Sequence, residues 1–191
     1  SHNHTDHFDT ETLAPIFAAS PAMKLVLPAA NVDFAVERLG DAARARLMLL
    51  TDGQRATVGP FTIETVPAAH EALSPTFAGF VVSVGPFRIY HSGDTVLFPG
   101  MIERLRPFGV DLALLPINGR APERRVAGNL NGVEAAQLAR AISARWVVPC
   151  HYEMFEFNTA SPASFVAECA RLDQPGAVVR AGERWTIFPT A

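Results

Sequence analysis

Residues 2–7 read His-Asn-His-Thr-Asp-His, and this stretch decides how the rest of the sequence is interpreted. It holds three of the six histidines of the chain, with Asp6 between them. His2 and His4 are separated by one residue, so their imidazoles point to the same side of an extended segment. Imidazole suits zinc, iron and nickel, and added carboxylates extend the choice to manganese. The stretch therefore predicts metal binding.

Three further candidate ligands follow apolar segments that we predict to be strands. His70 ends one such segment, His151 ends another, and Asp94 comes just after a third. Side chains at strand ends can converge on one site when the strands end at the same edge of a sheet. A lone histidine is more often a packed or surface residue, but the cluster at 2–7 favours ligands. We interpret His91 as a structural residue or as a partner of a ligand.

Composition narrows the class of protein. The 191 residues suit a single domain, residues 1–191, and 49% hydrophobic residues are enough to bury a core. A net charge of −3 without a run of Lys or Arg disfavours nucleic acid as a partner. No segment is long and apolar enough to span a membrane, and no signal peptide is evident. We expect a cytoplasmic protein with a small-molecule substrate, and a homo-oligomer stays possible.

Short apolar and β-branched segments alternate with helical patterns. The Gly-Pro pairs at 59–60 and 85–86 predict turns between antiparallel strands. The predicted strands are 24–27, 46–50, 61–67, 79–84, 87–91, 111–117, 146–149 and 185–188. Apolar residues at helical spacing predict helices near 13–17, 98–105 and 135–142, with a last helix after Ser161-Pro162. Asn131 and Glu134 predict a capping box. The fold class is α/β (α+β), with sheets covered by helices.

Taken together, these motifs resemble the metallo-β-lactamase superfamily. The resemblance rests on the His-x-His-x-Asp-His stretch, a later His, a Gly-Asp-Thr triplet and a late His after a strand. It implies a four-layer αββα sandwich with two divalent ions, Zn²⁺ or Mn²⁺, at one edge. Because that fold has strands before the first motif, we expect a domain truncated at its N-terminus. The implied ligands are His2, His4 and His70 for the first ion and Asp6, His7 and His151 for the second, with Asp94 bridging.

A narrower resemblance concerns the L-ascorbate-6-phosphate lactonase-like branch of that superfamily. It is carried by Ile89–Thr95, by Asp111–Arg120, and by Val148–Phe155 with Asn158-Thr. The resemblance implies a substrate similar to a sugar-phosphate lactone.

We therefore expect a metal-dependent hydrolase in which a metal-bound hydroxide attacks a small, anionic ester or lactone. Asp6 and Asp94 are the expected catalytic carboxylates. Arginines in the loop 118–129 suit a phosphate or carboxylate. The candidate substrate-binding residues are Asn118, Arg120 and Tyr152, with Arg124, Arg125 and Asn129 nearby. The alternatives are a phosphodiesterase of the same superfamily, a di-iron redox protein and a non-catalytic metal-binding scaffold.

Overall fold

The structure is a computed structural model that describes residues 1–121 and 128–188. Its strands form one two-stranded and one six-stranded sheet. The strands are β1 (Leu25–Pro28), β2 (Leu47–Leu50), β3 (Arg55–Val58), β4 (Phe61–Ala69), β5 (Leu73–Val84), β6 (Phe87–His91), β7 (Leu112–Pro116) and β8 (Trp146–Cys150). The α-helices are α1 (Thr10–Ala19), α2 (Val32–Leu39), α3 (Met101–Leu105), α4 (Gly132–Ala141) and α5 (Ala163–Leu172). Short 3₁₀ helices cover Ala29–Asn31, Asp41–Arg46 and Arg106–Phe108.

The large sheet has the strand order β3-β4-β5-β6-β7-β8. Strands β3 to β6 form an antiparallel meander, and β6, β7 and β8 are parallel to one another. It follows that β4, β6, β7 and β8 all run in the same direction. Their carboxyl ends therefore meet at one edge of the sheet, which is where ligands bind in sheets of parallel strands.

Two of the three turns of the meander begin with a glycine. Gly59 and Gly85 each occupy the first position of a two-residue hairpin loop and have φ angles of 56° and 53°. A positive φ at that position suits the twist of a hairpin, and glycine adopts it without steric cost. The two turns predicted from the Gly-Pro pairs are confirmed.

The elements stack as helix, sheet, sheet and helix. Leu27 of β1 packs with Phe8 and Ala35, so α2 covers one face of the small sheet. Side chains alternate along a strand, and Pro28 accordingly faces β4 and β5 across a cavity of about 430 Å³. The other face of the large sheet is covered by α4 and α5, where Phe165 is buried in the main core.

Helix α4 begins as its sequence predicts. The side chain of Asn131 accepts from the backbone N–H of Glu134 at 2.9 Å, and the Glu134 side chain accepts from the N–H of Asn131 at 3.0 Å. This reciprocal capping box satisfies two N–H groups that the first turn leaves without helical partners. A side chain at Gly132 would lie 2.7 Å from the Ser164 hydroxyl, so glycine permits α4 to approach α5 closely.

The structure differs from the sequence prediction at one predicted strand and at two elements that the sequence did not predict. The predicted strand at 185–188 is wrong, because these residues make no strand pairing; Trp185 instead stacks edge-on against Trp146 with ring centroids 5.2 Å apart. The helix α2 and the strand β3 were not anticipated. No helix within the described residues is long and apolar enough to cross a membrane. A single domain, strands upstream of His2, a cytoplasmic location and a homo-oligomer stay predictions.

Candidate metal centre

The candidate ligands meet at the edge where the parallel strands end. His70 follows β4, Asp94 lies in the loop after β6, and His151 directly follows β8. The segment before α1 is joined to this edge by a hydrogen bond of 3.0 Å from the N–H of Ala78 to the carbonyl of Ser1. All seven side chains that the sequence analysis singled out as ligands are therefore brought together.

These side chains form three overlapping groups, two of which share no residue. Within each group, one potential ligand atom from every residue lies within 4.8 Å of the others. The two that share no residue are a first group of His2, His4 and His70 and a second group of Asp6, His7 and His151. The third, His2, His7 and Asp94, joins them. The first and second groups are the same two sets that the family resemblance implies, although their metal ligation itself stays a prediction.

Asp94 lies between the two groups. Its Oδ1 is 3.1 Å from Nε2 of His7, and its Oδ2 is 3.2 Å from Nε2 of His151. The same Oδ2 is 3.7 Å from Nε2 of His70 in the other group. A carboxylate that contacts members of both groups is placed as a bridging ligand requires.

The outer nitrogens of three histidines have their own partners. The Ser1 hydroxyl lies 2.8 Å from Nδ1 of His7 and 3.1 Å from Nδ1 of His2. Nδ1 of His70 donates to the carbonyl of Gly128 at 3.2 Å, since a carbonyl oxygen can only accept. Such contacts fix the ring orientation of metal-binding histidines and leave Nε2 free to face the metal.

His91 behaves differently from the other histidines of the edge. Its Nδ1 accepts a hydrogen bond of 3.0 Å from the backbone N–H of Gly93, and it belongs to neither group. Burial lowers the pKa of His91 to about 4, so it remains neutral and can continue to accept this bond. The geometry agrees with a structural role that shapes the loop carrying Asp94.

Electrostatics favour neutral imidazoles at His2 and His70, ionised carboxylates at Asp6 and Asp94, and a charged imidazole at His151. Burial lowers the pKa of His2 to about 3 and also lowers the pKa of His70. Burial alone would raise the pKa of Asp94, but its contacts with neighbouring histidines outweigh burial and hold that pKa below its ordinary value. The contact with His151 likewise lowers the pKa of Asp6. In turn, burial disfavours the charged form of His151, but the two carboxylates raise its pKa to about 10.

These residues fit divalent transition-metal ions. Nε2 of His2 and both ring nitrogens of His151 are buried without a hydrogen-bond partner among the described residues. Nε2 of His151 is nevertheless 3.1 Å from Oδ2 of Asp6, so the two atoms are close without hydrogen-bonding geometry. Buried polar atoms normally find partners, and atoms that converge without bonding each other suit a shared cation.

The backbone around the edge is tightly constrained. Gly93 has a φ of 60°, and a side chain there would lie 2.7 Å from both the carbonyl of Ala78 and the Cβ of Ser1. Only glycine lets the Asp94 loop and the N-terminal segment approach so closely. His151 has a φ of 58°, which is uncommon for a residue with a side chain and is concentrated at functional sites.

A cavity of about 510 Å³ opens over the two groups. One side of it is formed by candidate ligands, and the other side includes two phenylalanines. Its lining residues are Asn3, His4, Thr5, Asp6, His70, Asp94, His151, Phe155, Phe157 and Asn158. These described residues include no Lys or Arg.

Comparison with known proteins agrees with this geometry. A family model described as a beta-lactamase superfamily domain matches residues 1–152. A UPF0173 metal-dependent hydrolase from Opitutus terrae is 30% identical over 194 residues, covering 96% of this chain and 78% of that protein. The chain belongs to this family of metal-dependent hydrolases, within the metallo-β-lactamase superfamily.

A second relative and a solved structure are also similar to this chain. A UPF0173 metal-dependent hydrolase from Rubrobacter xylanophilus is 33% identical over 129 residues, which cover 62% of this chain but only 50% of that protein. The chain thus matches about half the length of that relative. Igni18, a metallo hydrolase from Ignicoccus hospitalis, aligns with a TM-score of 0.73 at 24% identity, covering 95% of this chain and 75% of that one. The predicted metallo-β-lactamase fold is confirmed.

Of the predicted substrate residues, the three that the structure describes, Asn118, Arg120 and Tyr152, do not line the cavity. Asn118 is buried, where its amide donates to Asn158 at 2.9 Å and its oxygen accepts from Asn129 at 3.0 Å. The guanidinium of Arg120 is paired with the Glu134 carboxylate. Tyr152 packs against the main core. Arg124 and Arg125 lie outside the described residues. Substrate binding by Asn118, Arg120 and Tyr152 stays a prediction.

Four other residues at this edge of the sheet were not identified in the sequence analysis. Phe155, Phe157 and Asn158 line the cavity, and Ser1 contacts two of the histidines. The position of the phenylalanines shortly after His151 was visible in the sequence. Their exposure was not, because apolar residues are buried by default.

Proposed function

We propose that this metal-dependent hydrolase cleaves small ester or lactone bonds with water activated by two divalent ions, Zn²⁺ or Mn²⁺. One observation carries the proposal: seven ligand-type side chains converge at one edge of the large sheet, and five of them line one cavity. The first ion would be held by His2, His4 and His70, and the second by Asp6, His7 and His151, with Asp94 shared between them.

Two cations held there would lower the pKa of a shared water and polarise the oxygen of the scissile bond. The residues of the chain position that water and receive its proton. Asp6 lines the cavity and has an oxygen near His151, so its carboxylate is the acceptor for the proton of the attacking water. Asp94 is buried and contacts both groups, so it keeps them at a fixed separation.

The reaction adds the elements of water across the ester bond. The water oxygen forms a bond to the carbonyl carbon, and the bond from that carbon to the alcohol oxygen breaks. The alcohol oxygen takes a proton, and Asp6 is the group placed to pass it on. A lactone would give one hydroxy acid, and an open ester would give an acid and an alcohol.

The size of the cavity suits a small molecule. Its volume of about 510 Å³ lies within the range usual for small-molecule sites. We further propose that the substrate is anionic, as a sugar-phosphate lactone is. The described lining residues carry no Lys or Arg, so the attraction for an anion would come from the two cations themselves.

A substrate panel tests the proposal. The protein is loaded with Zn²⁺ or Mn²⁺ and given γ-lactones, carboxylic esters, a phosphorylated lactone and a phosphodiester, and hydrolysis is followed with and without a chelator. We expect ester or lactone hydrolysis that is lost with the chelator and falls about 100-fold or more in His151→Ala, since one ligand of the ion is removed. Asp33→Asn, which changes an exposed carboxylate of α2, should retain full activity.

Two results would contradict the proposal in different ways. Hydrolysis of the phosphodiester alone would make the protein a phosphodiesterase. Binding of both ions without turnover of any substrate would favour a non-catalytic scaffold.

A further inference from the structure

Two phenylalanines stand at the mouth of the cavity that opens over the metal centre. The rings of Phe155 and Phe157 have centroids 5.6 Å apart and are tilted by 30°. Both line the cavity, yet 38% of Phe155 and 64% of Phe157 is exposed. We call this pair the aromatic lip. Met154, beside it, is also largely exposed, and contiguous exposed apolar surface of this kind marks an interaction site.

The loop that carries the aromatic lip is anchored. The backbone N–H of Glu153 donates to the Thr159 hydroxyl at 2.7 Å, and the N–H of Asn158 donates to the carbonyl of Phe155 at 3.2 Å. The amide of Asn118, beyond the end of β7, donates to the Asn158 side chain at 2.9 Å. These bonds fix both ends of the loop, so the two rings have a defined position beside the cavity.

The cavity therefore has two chemically different sides. Its floor offers imidazole and carboxylate groups, and its mouth offers aromatic surface. Among the described residues no lysine or arginine lines the cavity, so the described part of its mouth offers apolar contact to the distal part of a substrate. When an apolar group of a ligand covers exposed aromatic rings, apolar surface is removed from water and the complex is stabilised.

We propose that the aromatic lip binds an alkyl or aryl portion of the substrate while the metal centre holds its ester or lactone group. This inference rests on the proposed hydrolytic function and narrows its substrate class to esters or lactones with an apolar tail, which a sugar-phosphate lactone lacks. The substrate has a charged or polar head that meets the cations and an apolar tail that leaves the cavity across Phe155 and Phe157. The lip thus determines specificity and takes no part in bond cleavage.

Straight-chain carboxylates from acetate to octanoate test the lip by binding alone. Each resembles an acid product, with a carboxylate for the cations and an alkyl tail for the lip. Burying one methylene fully strengthens binding about fourfold, so a lip that covers one side of the chain should strengthen it about twofold per methylene. Calorimetric titration of the metal-loaded protein measures this slope.

Variants of the lip supply the comparison. Phe155→Ala and Phe157→Ala should flatten the dependence on chain length, while acetate binds as in the unchanged protein because the metal centre is intact. The matched control is Phe61→Ala. Phe61 is 42% exposed but begins β4, whose opposite end carries His70, so its removal should leave the slope unchanged.

Hydrolysis of γ-lactones with alkyl tails of increasing length gives a second measurement. We expect kcat/KM to rise with tail length in the unchanged protein and in Phe61→Ala, and to rise less in Phe157→Ala. If binding depends on tail length but no lactone or ester is hydrolysed, the proposed function fails and the lip stands. Binding that ignores tail length overturns the lip, whatever is hydrolysed. Self-association that disappears in Phe157→Ala, together with a flat slope, would make the patch a contact between copies and would also overturn it.

Discussion

Replacing Asp94 with Asn tests the proposed two-ion centre most directly. Asp94 contacts His7, His151 and His70, and therefore both groups of candidate ligands. An amide of the same shape keeps the packing but removes the charge and one strong ligand oxygen. The perturbation should weaken metal binding while leaving the fold in place.

The expected magnitude follows from linkage between binding and folding. An ion present at 1,000 times its dissociation constant stabilises the folded state by about 4 kcal/mol. For a chain of 191 residues, 1 kcal/mol shifts Tm by roughly 2–4 °C, so the unchanged protein should gain roughly 8–16 °C. If Asp94→Asn weakens binding about 100-fold, the same metal concentration leaves about 1.4 kcal/mol, or roughly 3–6 °C.

Thermal unfolding followed by circular dichroism measures both shifts. Each protein is compared with its own chelated form, so that any change in the metal-free baseline cancels. Asp33→Asn is the control because the Asp33 side chain is 94% exposed, and it should keep the full shift. An equal metal-induced shift in Asp94→Asn and in the unchanged protein would refute the placement of Asp94 between the ions.

Three other predictions concern the centre, the core and a thiol. His4→Ala and His151→Ala should each lose one ion and keep the other. Elemental analysis of the desalted proteins measures the metal content, and two variants that both keep two ions would contradict two separate ligand groups. Phe165 is 1% exposed, so Phe165→Ala should cost about 3–5 kcal/mol in urea unfolding, and a cost under about 1 kcal/mol would mean that α5 is not firmly packed. Burial raises the pKa of Cys169 to about 11, so alkylation of this thiol at pH 8 should be about 100-fold slower in the folded protein than in urea. Peptide mass spectrometry measures both rates, and equal rates would disprove the burial of Cys169.

The parts of the fold that sequence predicted are those with a local signal. The capping box at Asn131 and the glycine turns need only neighbouring residues, so their patterns were sufficient. The strand β3 is four residues long and mostly exposed, so it lacks an apolar pattern and is defined by its pairing with β4. Trp185 looked like part of a strand because it is aromatic, but its ring contact with Trp146 supplies the burial that a strand would have given.

The candidate site likewise has residues that the sequence predicted and residues that it did not. Histidine spacing and strand ends pointed to the residues of the metal centre, because the direction of a strand fixes where its end lies. Whether a polar side chain is available to a substrate depends on the partner with which it pairs in the folded protein. Arg120 pairs with Glu134, and Asn118 is enclosed by other asparagines, and neither choice is written in local sequence. Likewise, the exposure of Phe157 results from the anchored loop around it.

The spread of the metal centre along the chain has a consequence for folding kinetics. Its ligand-type residues run from His2 to His151, so the centre combines contacts of very long sequence separation. Closing such loops costs chain entropy before any contact forms, and topologies of this kind fold slowly. Ions at the proposed centre would have all their ligands only after β4, β6 and β8 have joined the sheet and the segment before α1 has docked. Interactions that form after the folding barrier slow unfolding without speeding folding. Bound metal should therefore chiefly lower the unfolding rate of this protein and so prolong the lifetime of the native state.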